Sequence, residues 1–126
     1  MNWESTYKEI RQAQESKDNA LAFQLFDRAK KEFHSCSDKD INWLIEALEN
    51  KEKKFFVAYL FQRTSMPKKL FKYMVEAALL EDNASLNNEF IKACLNSYGL
   101  EKTLEEVQKQ KEKAKDISKV LYWLER

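Results

Sequence analysis

Glycine and proline are almost missing from this chain, since Gly99 and Pro67 are the only examples among its 126 residues. Average usage would give roughly nine glycines and six prolines in a chain of this length. Hairpin turns favour glycine, Asn-Gly or Asp-Gly at positions of positive φ, and neither dipeptide occurs in the sequence. The shortage excludes a sheet built from hairpins and predicts an all-α fold.

Long apolar runs are also missing. The longest runs without a charged residue have eight members, for example Phe55 to Gln62, whereas a bilayer-spanning helix needs about 20 apolar residues. The opening residues, MNWESTYKEI, are acidic and polar and do not resemble a signal peptide. We therefore expect a cytoplasmic protein with no membrane partner, in which Cys36 and Cys94 are free thiols.

Residues for catalysis are equally scarce. His34 is the only histidine, and its neighbours Ser35 and Cys36 provide neither a catalytic triad nor a recognisable zinc spacing. One glycine cannot build a phosphate-binding glycine loop. The sequence thus predicts a protein that is not an enzyme and holds no metal or cofactor.

Apolar residues recur at helical spacing throughout the chain and predict about six to eight helices. The first stripe comprises Trp3, Tyr7, Ile10 and Ala13, and the second runs from Leu21 to Phe33. A later stripe, expected to face the core, ends at Leu80. We therefore predict one helical domain over residues 1–126.

Several residues mark helix ends. Asp18 or Asn19 is a candidate cap for the second helix, and Ser37 and Asp40 have capping-box spacing before the third. Pro67 suits a first helical turn, and Gly99 suits a helix end with positive φ. Residues 100–126 fit either one helix or two.

Three segments align without gaps: KKFFVAYLFQR, NNEFIKACLNSYG and AKDISKVLYWLER. One column contains Phe55, Phe90 and Ile117, and a second column, three residues later, contains Ala58, Ala93 and Val120. The periods of 35 and 27 residues are typical of helical repeat proteins. Each segment follows another apolar helix pattern through a polar elbow, which predicts three successive helix pairs.

This pattern resembles the HEAT-repeat family over residues 38–126. The resemblance implies a right-handed α-solenoid of antiparallel helix pairs, with residues 1–37 as an N-terminal helix pair or cap. The usual Asp-Pro or Asp-Glu turn before the second helix is missing. A non-repeating helical bundle and a tetratricopeptide-like stack therefore stay open.

Positive charge is concentrated in residues 51–72, which we call the basic segment. It contains seven positive residues and one negative residue, Glu52, although the whole chain has a net charge of only +1. The positive residues are Lys51, Lys53, Lys54, Arg63, Lys68, Lys69 and Lys72. This segment is a candidate surface for an acidic protein partner, and ordinary solvation of a lysine-rich surface is the alternative.

A second candidate surface is the ridge that the later helix of each pair would leave uncovered in a solenoid. Its members are Val57, Phe61, Lys92, Asn96, Lys119 and Trp123. Exposed aromatic residues near Lys or Arg are typical anchors of protein interfaces. The alternative is that the first two helices, or a dimer mate, cover Phe61 and that Trp123 packs on the C-terminal core.

The resemblance and the charge pattern together predict a non-enzymatic protein-binding or scaffold module, present as a monomer or weak homodimer. A toxin-neutralising immunity protein or a phage-type inhibitor is the alternative. A weak nucleic-acid binder that uses the basic segment is the third hypothesis, disfavoured because such proteins usually have a basic domain. Nothing in the sequence identifies the partner.

Overall fold

A computed structural model of the chain describes residues 2–32, 37–83, 85–114 and 116–124. These ranges contain no strand and seven α-helices, which confirms the predicted all-α class. The helices are α1 (Trp3–Glu15), α2 (Asn19–Glu32), α3 (Asp38–Leu48), α4 (Lys54–Phe61), α5 (Lys68–Leu80), α6 (Asn87–Lys109) and α7 (Ser118–Leu124). A 3-10 helix, Lys111–Lys113, lies between α6 and α7, so the end of the chain is not one continuous helix.

The predicted helix starts are confirmed where side chains cap the backbone. The Asp18 carboxylate accepts a hydrogen bond from the backbone N–H of Leu21 at 3.1 Å. Before α3, the Ser37 hydroxyl accepts from the Asp40 N–H at 3.3 Å, and the Asp40 carboxylate accepts from the Ser37 N–H at 2.9 Å. These bonds satisfy donors that a helix leaves without internal partners.

Gly99 interrupts α6. Its φ of 80° agrees with the predicted positive value, but its ψ of 175° is not that of a left-handed helical cap. Helical geometry resumes at once, and the Thr103 hydroxyl donates to the Gly99 carbonyl at 2.7 Å. A Cβ at this position would meet nothing within 4 Å. The backbone angles, which are almost restricted to glycine, therefore explain this residue better than lack of space.

The hydrophobic core forms one cluster, and α4 lies at its centre. This helix contacts α2, α3 and α6, and the Phe56 ring adds ring contacts to α1. Five of its eight residues are buried: Phe56, Val57, Ala58, Leu60 and Phe61. The apolar stretch at residues 55–61 is therefore a helix surrounded by other helices.

Most apolar stripes face the core as predicted, but Leu21 and Leu80 are exceptions among their described residues, and Phe33 lies outside those residues. Leu21 is 43% exposed and Leu80 is 58% exposed. Both lie near a helix end, Leu21 in the first turn of α2 and Leu80 in the last turn of α5, where fewer neighbouring helices cover a side chain. Helical spacing alone does not predict which residues near a helix end remain exposed.

The helices contact one another in a regular order. Helix α3 contacts α4 and α5, α4 and α5 both contact α6, and α6 contacts α7. The second alignment column is buried at all three positions, Ala58, Ala93 and Val120. Small or branched residues in this column lie where the helices approach one another.

Two further observations concern the membrane and the cysteines. No helix in the described ranges combines the length and apolar character needed to cross a bilayer. Cys94 is a free, buried cysteine, and burial raises the pKa of its thiol. The predicted linker residues His34, Ser35 and Cys36 lie outside the described residues.

Candidate functional site

A cleft of about 450 Å³ lies between the N-terminal helices and α4. We call it the aromatic cleft, because five of the residues that line it are aromatic: Tyr7, Phe26, Phe55, Phe56 and Tyr59. The remaining lining residues are Ile10, Arg11, Gln14, Lys51, Glu52 and Leu86. Helices α1, α2 and α4, the elbow before α4 and the loop before α6 therefore all contribute to it.

The cleft surface on α4 follows from helical spacing. Phe55 and Tyr59 are four residues apart, so they lie on the same face of the helix. Both are half-buried, whereas Phe56 is buried beneath the rings of α1, α2 and α3. Phe55 and Tyr59 thus present partly accessible aromatic surface to the cleft.

Three rings of the cleft have a cation of this chain over them. Lys53 Nζ lies 5.8 Å from the centre of the Tyr7 ring. The Arg63 guanidinium lies 5.1 Å from the Phe26 ring centre, and Lys54 Nζ lies 5.2 Å from that of Phe55. Cations over aromatic faces are attracted by the negative ring face, so these contacts hold the cleft walls in place.

The lysines at the start of α4 also form ion pairs with distant helices. Lys53 Nζ is 2.6 Å from the Glu4 carboxylate in α1, and Lys54 Nζ is 2.7 Å from the Glu81 carboxylate after α5. The hydrogen bond from Lys53 lowers the pKa of Glu4, which keeps that carboxylate ionised. Lys53 and Lys54, two of the lysines of the basic segment, therefore connect α4 to α1 and to the end of α5.

The rest of the basic segment is divided between two ends of α4. Lys51 is exposed on the N-terminal side and forms no ion pair within the described residues. On the C-terminal side, Lys69 is 3.4 Å from the Asp38 carboxylate, and Lys72 lies over the Tyr73 ring. Lys68 is exposed. The segment consequently does not form one continuous basic surface.

Two members of the predicted ridge are buried, which agrees with the alternative that Phe61 is covered. Val57 and Phe61 both have 0% exposure. The contacts of α4 with α2, α3 and α6 leave no open side at these positions. Neither residue can reach a partner without opening the core.

Polar ridge members form contacts between segments of the chain. Asn96 Nδ2 donates to the Phe61 carbonyl at 3.1 Å and to the Thr64 carbonyl at 3.3 Å. It thereby satisfies carbonyls at the C-terminal end of α4, where the helix itself supplies no donor. The structure thus gives Asn96 a stabilising role.

The other ridge residues also have partners within the chain. Lys119 Nζ donates to the Asp82 carbonyl at 3.0 Å, and the Trp123 indole N–H donates to the side-chain oxygen of Asn87 at 2.9 Å. Lys92 lies 3.5 Å from the Glu89 carboxylate on the same helix and is exposed. The predicted ridge is thus exposed only in part, since Lys92 and Asn96 are exposed, Lys119 and Trp123 are half-buried, and Val57 and Phe61 are buried.

Sequence spacing did not reveal the aromatic cleft. Tyr7 and Phe26 belong to stripes that predict core positions, and both are indeed buried except where they border the cleft. On α4, the four-residue spacing of the aromatic residues Phe55 and Tyr59 is the sequence feature that indicates the cleft surface. The position of α1 opposite that pair depends on contacts between residues far apart in sequence.

The chemistry available in the cleft is recognition by aromatic, cationic and amide groups. Burial, together with the charge of Glu89, raises the pKa of Tyr59, so its hydroxyl stays protonated. Across the described ranges, no group of three or more His, Cys, Asp or Glu side chains is placed to hold a metal ion.

Comparisons with models of known protein families, with curated proteins and with solved structures gave no match. The resemblance to HEAT repeats therefore stays a prediction from the aligned segments.

Proposed function

We propose that this chain is a non-enzymatic protein-binding module that binds a segment of another protein in the aromatic cleft. The convergence of five aromatic side chains in one open cleft is the observation that carries the proposal. Tyr, Trp and Arg are the residue types that most often dominate the binding energy of protein interfaces. Partly exposed Phe55 and Tyr59, with Arg11 opposite them on α1, supply this chemistry.

We further propose that the helices stack in successive pairs, as in HEAT-like proteins. Three observations support this arrangement: α3 contacts α5, α4 contacts α6, and within each pair α3 contacts α4 and α5 contacts α6. In such a stack, each pair completes the core of the next. The cleft would then lie where the N-terminal pair, α1 and α2, meets the second helix of the following pair.

The distribution of charge favours a protein partner over nucleic acid. Nucleic-acid binders neutralise several phosphates with a basic surface, and their affinity falls steeply with salt. Here Lys53, Lys54 and Lys69 already face carboxylates of the same chain. The basic segment therefore offers isolated cations and no continuous basic surface.

Site-specific photo-crosslinking in the native cell tests the proposal. A photoreactive phenylalanine derivative at Gln14, an exposed residue that lines the cleft, is expected to crosslink a partner protein. The same derivative at Gln24, exposed on α2 away from the lining residues, is the matched control. Identical crosslinked species from both positions would contradict binding in the cleft.

A pair of aromatic substitutions provides the second arm of the experiment. Tyr59→Ala removes accessible cleft surface, and Phe23→Ala removes an aromatic side chain that is 65% exposed elsewhere on α2. We expect the crosslinked partner to be lost with Tyr59→Ala and retained with Phe23→Ala. Circular dichroism confirms that both variants are folded, so that loss of binding is not loss of structure.

A further inference from the structure

Two exposed cations flank the aromatic cleft without a carboxylate partner in the described ranges. Lys51 precedes α4 and lines the cleft. Arg63 follows α4, donates to the carbonyl of Tyr59 at 3.2 Å and lies over the ring of Phe26, which also lines the cleft. Positive charge that this part of the chain does not neutralise is therefore found at both ends of the cleft surface on α4.

Other cations near the cleft differ from these two, and Arg11, which also lines it, lies 3.1 Å from the Glu15 carboxylate on the same helix. Lys53 and Lys54 pair with Glu4 and Glu81, and both lysines are half-buried. Their charges are therefore already paired with carboxylates of the same chain. Glu52 is the one carboxylate among the residues that line the cleft, and it is adjacent to Lys51.

A cationic ligand does not fit this arrangement. Aromatic cages for quaternary ammonium groups need free ring faces. The rings of Tyr7, Phe26 and Phe55 already have Lys53, Arg63 and Lys54 over them at 5.8, 5.1 and 5.2 Å. Lys53 and Lys54 are already paired with carboxylates, so Arg63, which has no carboxylate partner in the described residues, is the charge that repels a further cation and attracts a carboxylate.

The apolar surface between the two cations has the pattern of a helix-binding groove. Phe55 and Tyr59 are spaced by four residues along α4, and Leu86, 38% exposed, borders them. Lys51 lies three residues before α4 and Arg63 two residues after it, and the eight residues of α4 alone cover roughly 12 Å at the helical rise of about 1.5 Å per residue. An amphipathic helix that lies along α4 would cover this length in about two turns.

Resting on the proposed function, we propose that the segment bound in the aromatic cleft is an acidic amphipathic helix of another protein. Its apolar residues pack on Phe55, Tyr59 and Leu86, and carboxylates near its two ends lie against Lys51 and Arg63. The charge pairs orient the helix and accelerate encounter, while the aromatic contacts supply most of the affinity.

Selection from a phage-displayed library of random 16-residue peptides tests this partner chemistry. We expect wild-type protein to enrich peptides with paired apolar residues at i and i+4 and an excess of Asp and Glu. Their affinity should fall at least tenfold for a Lys51→Glu, Arg63→Glu double variant and should weaken with salt. A Lys68→Glu, Lys72→Glu double variant, with the same charge change outside the cleft, should retain binding.

The outcomes separate this inference from the proposed function. Enriched peptides that require Tyr59 but are neutral or basic, or that bind the Lys51→Glu, Arg63→Glu variant equally well, would overturn the acidic helix alone. Peptides that bind the Tyr59→Ala variant with the same affinity as wild type would contradict binding in the cleft, and with it the proposed function. A wild-type dimer in light scattering that Tyr59→Ala dissociates would assign the cleft to a second copy of the chain and overturn the inference.

Discussion

Lys53 Nζ lies 2.6 Å from Glu4 Oε1, although 49 positions separate the two residues in sequence. The same ammonium group lies 5.8 Å from the centre of the Tyr7 ring and 5.7 Å from that of Trp43. A single side chain at the start of α4 thus joins α1 and α3. Tyr7, one of the residues that line the aromatic cleft, is therefore held in part by Lys53.

Replacement of Lys53 by methionine should lower the free energy of unfolding by about 1 kcal/mol, because a partly exposed ion pair and the cation–π contacts are lost together. Methionine keeps most of the apolar stem. Lys69→Met is the matched control, since its pair with Asp38 is mostly exposed, and it should cost less than about 0.5 kcal/mol. Urea denaturation measures both, and equal losses would contradict the role of Lys53.

Acid should weaken the attachment of α1. The hydrogen bond from Lys53 holds the pKa of Glu4 below its ordinary value of 4.5. A carboxylate with a lowered folded-state pKa stabilises the fold above its unfolded-state pKa, and this stability is lost as pH falls through the folded-state pKa. The difference in unfolding free energy between wild type and Glu4→Gln should therefore shrink between about pH 7 and about pH 3. A constant difference would show that the charge of Glu4 is not involved.

Truncation of Leu60 should show that α4 is central. Leu60 is fully buried, and Leu60→Ala should cost about 2–5 kcal/mol through lost apolar contacts and the cavity left behind. Leu80→Ala removes the same atoms from a side chain that is 58% exposed and should cost less than about 0.5 kcal/mol. Chemical denaturation gives both values. Similar losses at the two positions would contradict the burial of α4.

Substitution of Gly99 should destabilise the fold through the backbone. Gly99→Ala places a Cβ in open space but at φ 80° and ψ 175°, so the strain should cost about 1–3 kcal/mol. Leu100→Ala, the next position, removes a side chain that is 49% exposed and serves as the control. Thermal unfolding followed by circular dichroism compares them. A Gly99→Ala variant with the same thermal stability as wild type would mean that α6 is straight in solution.

Asn96 distinguishes a stabilising role from the interface role predicted for the ridge. Its side chain donates to the carbonyls of Phe61 and Thr64, so Asn96→Ala should lower the free energy of unfolding by about 1 kcal/mol. Lys92→Ala, on the same helix and exposed, should change it by less than about 0.5 kcal/mol. Denaturation curves of both variants measure this difference, and an Asn96→Ala variant as stable as wild type would contradict it.

The helices themselves were predictable from the sequence because their determinants are local. The Ser37 and Asp40 capping pair depends on residues three positions apart, and apolar spacing placed Trp3, Tyr7 and Ile10 on the buried face of α1. The positive φ of Gly99 followed from residue type. Short-range chemistry of this kind needs no knowledge of the tertiary arrangement.

The exposure of the ridge residues could not be decided from the sequence, because exposure is a property of the assembled fold. Helical spacing correctly placed Val57 and Phe61 on one face of α4, yet helices distant in sequence cover that face. The aromatic cleft could not be predicted from the sequence for a related reason. Phe26 and Tyr7 have the spacing of core residues, and only the position of α1 relative to α4 leaves part of their surface beside an opening.

Helix α4 has only eight residues, and isolated helices shorter than about 12–15 residues are marginal in water. Its helical state must therefore come from the α2, α3 and α6 surfaces that contact it, and those surfaces belong to segments on both sides of it in the chain. The most buried helix of the molecule is therefore also shorter than the helices that contact it, and its secondary structure is a product of tertiary packing rather than of its own sequence.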